Sequence, residues 1–278
     1  MTELNETFLN TRDGVRIFAR SWLPTGKPRA VIAMVHGQSD HSGRYMHVGE
    51  RLTAAGYALL MADLRGHGQS TGARGHIRYF TEYISDFAKL RKYAREQFPD
   101  AIHFFGGHSM GGLVALNTAL DNPEGYAGIL VSSPWVKLAF EPPAWKITLG
   151  KITSSLIPAI SLGNELDSAN LARPETVGEA YNVDPLVHGL ITAGAFKAIN
   201  RAQEEVLARA EEITLPILIT HGEADTIADP EASKQIYASV QSSDKMLRMY
   251  PNMYHELFNE SDNEQVFKDW IDWLDLHS

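Results

Sequence analysis

The stretch that decides the fold is Ala101–Leu120, "AIHFFGGHSMGGLVALNTAL". An apolar run, Ile102–Phe105, leads into Gly106-Gly107-His108-Ser109-Met110-Gly111-Gly112, and a helix-like run, Leu113–Leu120, follows. Glycine weakens helices and strands by roughly 0.5–1 kcal/mol relative to alanine, so a cluster of it around one serine needs a cause. A strand–turn–helix with the pattern G-x-S-x-G supplies one. The tight turn lifts the serine hydroxyl out at the strand's end, and the glycines remove side chains that would clash. The helix that follows points its positive dipole end at the same place. The five-residue pattern alone is weak, because it arises by chance in roughly one chain in ten of this length. Its setting between a strand and a helix is what gives it weight.

Outward from this stretch the same form repeats. Ala30–Gly37, Tyr57–Gly68, Tyr126–Pro134 and Leu215–Asp225 are short runs, apolar almost throughout, that stop at polar or glycine-rich residues. Such runs suit strands buried on both faces. Between them lie helical patterns. In Tyr79–Phe98, Phe80, Tyr83/Ile84, Phe87 and Leu90 recur at three- and four-residue spacing. This alternation predicts an α/β fold: a mostly parallel twisted sheet with helices on both faces. The chain opens as a β-hairpin about Asp13-Gly14. It closes with a strand at Lys245–Pro251 and a helix whose Val266, Trp270, Trp273 and Leu274 face inward. The alternation breaks between about Pro134 and Arg209, where no strong buried strand is expected. We read residues 1–134 and 210–278 as two parts of one core and residues 135–209 as a helical cap. In such sheets ligands sit beyond the carboxyl ends of the strands.

The 278 residues are long enough for one such domain. The formal charge of −9 argues against a nucleic-acid partner. With no cysteine, thiolate catalysis and disulfides are excluded. The polar, acidic N-terminus lacks the features of a signal peptide, and no run approaches a membrane span, so a cytoplasmic location is expected.

A serine hydroxyl needs a base, and hydrolases built on this elbow carry the order Ser, acid, His. Asp225, just past a buried strand, is the expected acid; Asp229 is the alternative. His255, just past the last strand, is the expected base, with His221 and His188 as alternatives. His221 more naturally bonds within its own loop. The N–H groups of Met110 and Gln38, the latter in the loop after the first parallel strand, are the expected oxyanion donors. His36 and His67 read as structural. His41 and His108 lack suitably spaced partners, so no metal site and no cofactor are expected.

With these residues in place, "HGQSDHSGRY" (36–45), "DLRGHGQSTG" (63–72), "GHSMGG" (107–112), "GEADTIAD" (222–229) and "YHELFNE" (254–260) resemble the monoacylglycerol lipase and lysophospholipase group of α/β-hydrolases. The resemblance spans about Phe8 to Leu274 and is weakest in the cap. It implies an α/β-hydrolase fold, Ser109, Asp225 and His255 as a triad, and Gln38 and Met110 at the oxyanion. It implies a small-molecule acyl ester substrate: a monoacylglycerol, a lysophospholipid or a related ester. The same machinery would serve a small-ester esterase, a thioesterase or an amidase. A non-catalytic relative would be expected to have lost triad members, and none is missing. Asp40 and Arg44 are candidate headgroup contacts. Trp145, Leu149, Ile152 and Leu156 fall on one helical face as candidates for an acyl channel, with simple cap packing as the alternative. An exposed apolar cap surface would also suit transient contact with a membrane or micelle. Two departures bear on the headgroup. Ser39 and Asp40 stand where the group carries glycine and glutamate, and Phe258 stands where animal monoglyceride lipases carry a second histidine.

Overall fold

A computed structural model describes residues 3–140, 159–163 and 166–278. The hairpin is present: β1 (Glu3–Asn10) and β2 (Arg16–Leu23) pair antiparallel across the Asp13-Gly14 turn. Gly14 takes the φ of +85° that such a turn favours. There follow β3 (Ala30–Val35), α1 (Met46–Ala54), β4 (Ala58–Ala62), α2 (Thr81–Gln97), β5 (Ile102–His108), α3 (Met110–Asp121) and β6 (Gly128–Ser132). After them come β7 (Ser161–Gly163), α4 (Glu175–Val183), β8 (Leu190–Thr192) and α5 (Ala193–Arg209). The chain ends with β9 (Ile217–Gly222), α6 (Pro230–Ser239), β10 (Lys245–Tyr250) and α7 (Glu264–His277).

The main sheet has the order β1-β2-β4-β3-β5-β6-β9-β10. From β4 to β10 every neighbouring pair is parallel, and β2 runs against both its neighbours. β3, β4, β6 and β9 are buried along their whole length, which is why they read as unbroken apolar runs. Alternate residues serve opposite faces. Val31, Ala33, Val35, Leu60 and Phe105 join one core, with Phe87 of α2, Leu113 of α3 and Ile236 of α6. Ile32, Met34, Leu59, Met61 and Phe104 join the other, with Leu52 of α1 and Trp270 and Trp273 of α7. Each large side chain so buried contributes roughly 1.5–3 kcal/mol. This is the α/β-hydrolase fold expected from the sequence.

β4 ends at Ala62, so the apolar run stops at the polar Asp63, as the sequence predicts; the Asp63 carboxylate accepts the N–H groups of Ser42 (2.7 Å) and Gln69 (2.8 Å). Within 135–209, β7 and β8 form a separate antiparallel pair of three residues each. Ile199, Ala202 and Val206 of α5 lie in the same buried cluster as α2 and α3. The helical face expected to carry Trp145, Leu149, Ile152 and Leu156 lies outside the described residues. Among the described residues, no helix is long and apolar enough to cross a membrane.

Candidate active site

Ser109 sits between β5 and α3 with φ 54° and ψ −117°. A positive φ is costly for a residue with a Cβ, on the order of 1–3 kcal/mol, and persists only where its surroundings enforce it. They do so here. The Ser109 N–H donates to Ser132 O (3.0 Å), and its carbonyl accepts from Leu113 N (3.1 Å) and Trp135 N (2.9 Å). Serine before a helix commonly caps it, but this hydroxyl makes no cap hydrogen bond. The glycines let the elbow close. A Cβ on Gly111 would stand 2.1 Å from Val35 O, and one on Gly107 would stand 2.3 Å from Gly111 O. Helix α3 therefore starts directly against the ends of β3 and β5.

The backbone N–H groups of Met110 and Gln38 are the candidate donors. Met110 is the first residue of α3, so its N–H has no intrahelical acceptor. The loop after β3 passes over Ser109: a Cβ on Gly37 would lie 3.6 Å from Ser109 Oγ. Gln38 is the next residue. Its side-chain amide donates to Leu190 O of β8 (3.1 Å), tying this loop to the 135–209 segment. His36 braces the same loop, as expected. Its Nε2 accepts from Leu64 N (2.9 Å), which leaves Nδ1 to donate to Gly37 O (2.7 Å).

Asp225 follows β9 and His255 follows β10. His255 Nδ1 donates to Asp225 Oδ2 at 2.7 Å, and both residues are buried. Asp225 Oδ1 accepts Ile227 N (2.8 Å) and Ala228 N (3.0 Å). Burial alone would push the Asp225 carboxyl up, but His255 and His221 outweigh it and hold it below the usual carboxylate range. Burial would likewise push His255 down, and the Asp225 carboxylate overrides it, raising the imidazole above its ordinary value. The His108 ring packs 4.7 Å from that of His255. Burial first, then the neighbouring His255, pushes His108 down to about 3. Asp229, the alternative acid, caps α6 through Glu231 N (3.0 Å) and pairs with Lys137. Of the alternative bases, His188 lies 4.7 Å from the ring of His67, and His221 bonds Asp225 itself.

Asp40 is buried and Arg44 partly so, and both, expected to contact substrate, are engaged with protein groups. Arg44 Nη1 reaches Asp40 Oδ1 (3.1 Å) and Glu256 Oε1 (2.6 Å), and Nη2 reaches Glu256 Oε2 (2.8 Å). Tyr45 OH donates to Asp40 Oδ2 (2.8 Å). Burial opposes the guanidinium's charge, but the two carboxylates raise its pKa further still. Phe258 packs on Trp270, with ring centroids 5.0 Å apart, and helps line a small pocket with Arg44, His47, His108 and Glu256. Glu256 is the residue that sequence reasoning missed. Its only local signal is its place beside His255.

A family model described as serine aminopeptidase, S33, matches residues 26–262. The chain is 35% identical over 265 residues to the monoacylglycerol lipase of Mycolicibacterium smegmatis, covering 95% of this chain and 94% of that protein. It is 34% identical over 251 residues to human monoglyceride lipase, covering 89% and 82%. Among solved structures, a monoacylglycerol lipase from Paleococcus ferrophilus superposes with a TM-score of 0.83 at 30% identity, over 99% of this chain and 100% of that one.

Proposed function

The chain belongs to the serine aminopeptidase S33 family and is a serine ester hydrolase; from that premise we propose that it cleaves monoacylglycerols or related acyl esters through a Ser109–His255–Asp225 triad. The observation that carries this reading is the 2.7 Å bond from His255 to Asp225, with the His255 ring 4.7 Å from that of His108, the residue before a serine held at φ 54° with its hydroxyl uncommitted to a cap. In the proposed cycle His255 takes the Ser109 proton as the oxygen attacks the ester carbonyl. The N–H groups of Gln38 and Met110 hold the oxyanion, and Asp225 stabilises the imidazolium. His255 then returns the proton to the leaving alcohol. A water, deprotonated by the same base, releases the acid from the acyl-enzyme. The segment 135–209 acts as the cap that selects the acyl group, and its apolar surface meets lipid aggregates transiently.

One observation favours a second reading, an esterase for small esters. The Arg44 guanidinium is already paired with Asp40 and twice with Glu256, and Phe258 is apolar, so a polyol headgroup finds few free partners there. The test is hydrolysis of p-nitrophenyl esters from acetate to laurate, 1-monoacylglycerols and lysophosphatidylcholine, with Ser109→Ala as the blank. That variant should lose on the order of 10⁶ in kcat. Preference for medium or long monoacylglycerols supports the main reading. Preference for acetate and butyrate with no glyceride activity supports the second. A Ser109→Ala variant with near-wild-type turnover would overturn both.

A further inference from the structure

Asp225 Oδ2 accepts from two imidazoles, and the reaction just described uses only one. Besides His255 Nδ1 at 2.7 Å, His221 Nε2 lies 3.0 Å from the same oxygen. The His221 side chain is fully buried, as is that of Asp225. Its Nε2 faces Asp225 Oδ2 and Ala228 O (3.2 Å), both of which can only accept. Nε2 therefore carries a hydrogen. Its Nδ1 lies 2.7 Å from Ser233 Oγ on α6, whose hydroxyl donates to it. The ring is thus fixed by a strand, a helix and a loop at once, with no freedom to turn.

The backbone nearby is already locked without His221. Glu223 N donates to Tyr250 O (2.9 Å) and Ala224 N to Met253 O (3.1 Å), stitching the Asp225 loop to the His255 loop. A Cβ on Gly222 would stand 2.3 Å from both Met253 O and Tyr254 O, so the two loops are in direct contact. The backbone also holds one carboxylate oxygen, Asp225 Oδ1, through Ile227 N (2.8 Å) and Ala228 N (3.0 Å); what it leaves to side chains is the aim of Oδ2 and the share of its charge that reaches His255. We propose that His221 is a positioning residue for the reaction: its Nε2–H holds the far side of Asp225 Oδ2, aims that oxygen at His255 Nδ1, and draws off part of its charge. The proposal rests on Asp225 and His255 being the acid and base. The other ionisable groups about His255 are Glu256, Asp40 and the His108 ring. His221 acts on His255 through Asp225.

Removing the donor should leave the carboxylate freer to turn and its charge concentrated on His255. The first effect lowers kcat. The second stabilises the imidazolium and moves the acid limb of kcat/KM to higher pH. The experiment is a pH profile with p-nitrophenyl butyrate for wild type, His221→Leu, His221→Gln and Ser233→Ala, each normalised to active sites counted with a fluorophosphonate. We expect His221→Leu to lose about ten- to a hundredfold in kcat with KM within about twofold, as for a misaligned base. Its acid limb should rise by a few tenths of a pH unit. Glutamine, which keeps an N–H at similar reach, should recover to within about threefold with the wild-type limb. Ser233→Ala should shift both quantities the same way by less. A His221→Leu enzyme with wild-type kcat and limb would overturn the proposal, as would failure of glutamine to recover at an unchanged melting temperature. If His221→Leu does not fold, a wild-type profile in Ser233→Ala overturns it. Asp225→Asn separates the two levels. Near-normal activity there would remove the triad reading itself, whereas a loss of order 10⁴ beside an unaffected His221→Leu would remove only the role of His221.

Discussion

Truncating Arg44 to alanine should cost the fold more than any other single change near the site. The side chains of Arg44, Asp40 and Glu256 are 11%, 4% and 8% exposed, so water screens their interactions little. Among the described residues, Arg44 is the one cation that reaches both carboxylates. Alanine would leave Asp40 and Glu256 buried without their shared cation, keeping only neutral donors such as Tyr45 OH and Asn259 Nδ2, and removing one partner from such a set costs about 3–5 kcal/mol. In a chain of 278 residues that corresponds to a fall in melting temperature of about 10 °C. A pH signature should accompany it. In the wild type, burial works to raise the Asp40 carboxyl, but Arg44 prevails and holds it below its ordinary value of 3.8. The stability this contributes is present above that value and is lost only as the pH falls through the lowered one, so between pH 7 and pH 5 it stays intact. In the variant Asp40 takes up its proton at higher pH than in the wild type, because burial is then opposed only by Tyr45, His36 and His41. The gap between variant and wild type should therefore narrow at pH 5. Thermal unfolding followed by circular dichroism at both pH values measures this. A variant melting within about 2 °C of wild type at pH 7, or a gap equal at both values, would refute the assignment of Arg44 as a structural cation.

Two further outcomes follow from the geometry of the elbow and the base. Gly111→Ala would drive a Cβ to 2.1 Å from Val35 O and 2.6 Å from His36 O, both backbone atoms that no rotamer change relieves. The variant should lose at least about 1–3 kcal/mol of stability, and its folded fraction should lose kcat because the Met110 N–H moves with α3; wild-type melting and turnover together would contradict this. For wild-type enzyme, the base works only when neutral, and Asp225 raises the His255 pKa despite the opposing effect of burial. Activity should therefore fall with decreasing pH about a midpoint above 6.5, and a kcat/KM midpoint near 6 or below would count against His255 as the base.

The sheet was legible because its strands are buried on both faces, and such burial writes itself locally as an apolar run. Helix α1 was not legible, and Gly49 shows why. A glycine in the middle of nine residues argues against a helix, yet a Cβ there would stand 2.3 Å from the Trp22 ring. The glycine is demanded by a strand 27 positions away in sequence, not by its own helix. β7 and β8 escaped because three residues are too few to display a period. Glu256 escaped for the same reason as α1: its cation, Arg44, is 212 positions distant, and nothing beside it in sequence announces a buried pair.

The residues of the candidate site were more legible than their partners, and the cause lies in where the apolar runs stop. Of the described residues other than glycine, four have positive φ, and three of these are serines just past parallel strands: Ser39 (60°) after β3, Ser109 (54°) after β5 and Ser133 (42°) after β6. Neighbouring strand ends hold the last two in place, through Ser109 N to Ser132 O and Ser133 N to Thr220 O (2.8 Å). Strain of this kind is sustainable only over a large, well-packed sheet, since each such residue costs on the order of 1–3 kcal/mol. A sequence reader sees the strand ends, because polarity returns there, and so singles out Ser109, Asp225 and His255 as candidates. The reader does not see which side chains brace them, because bracing is settled between strands: His221 behind Asp225, and Glu256 across to Arg44. A substitution at either bracing residue should thus disturb the site while leaving every recognisable motif intact.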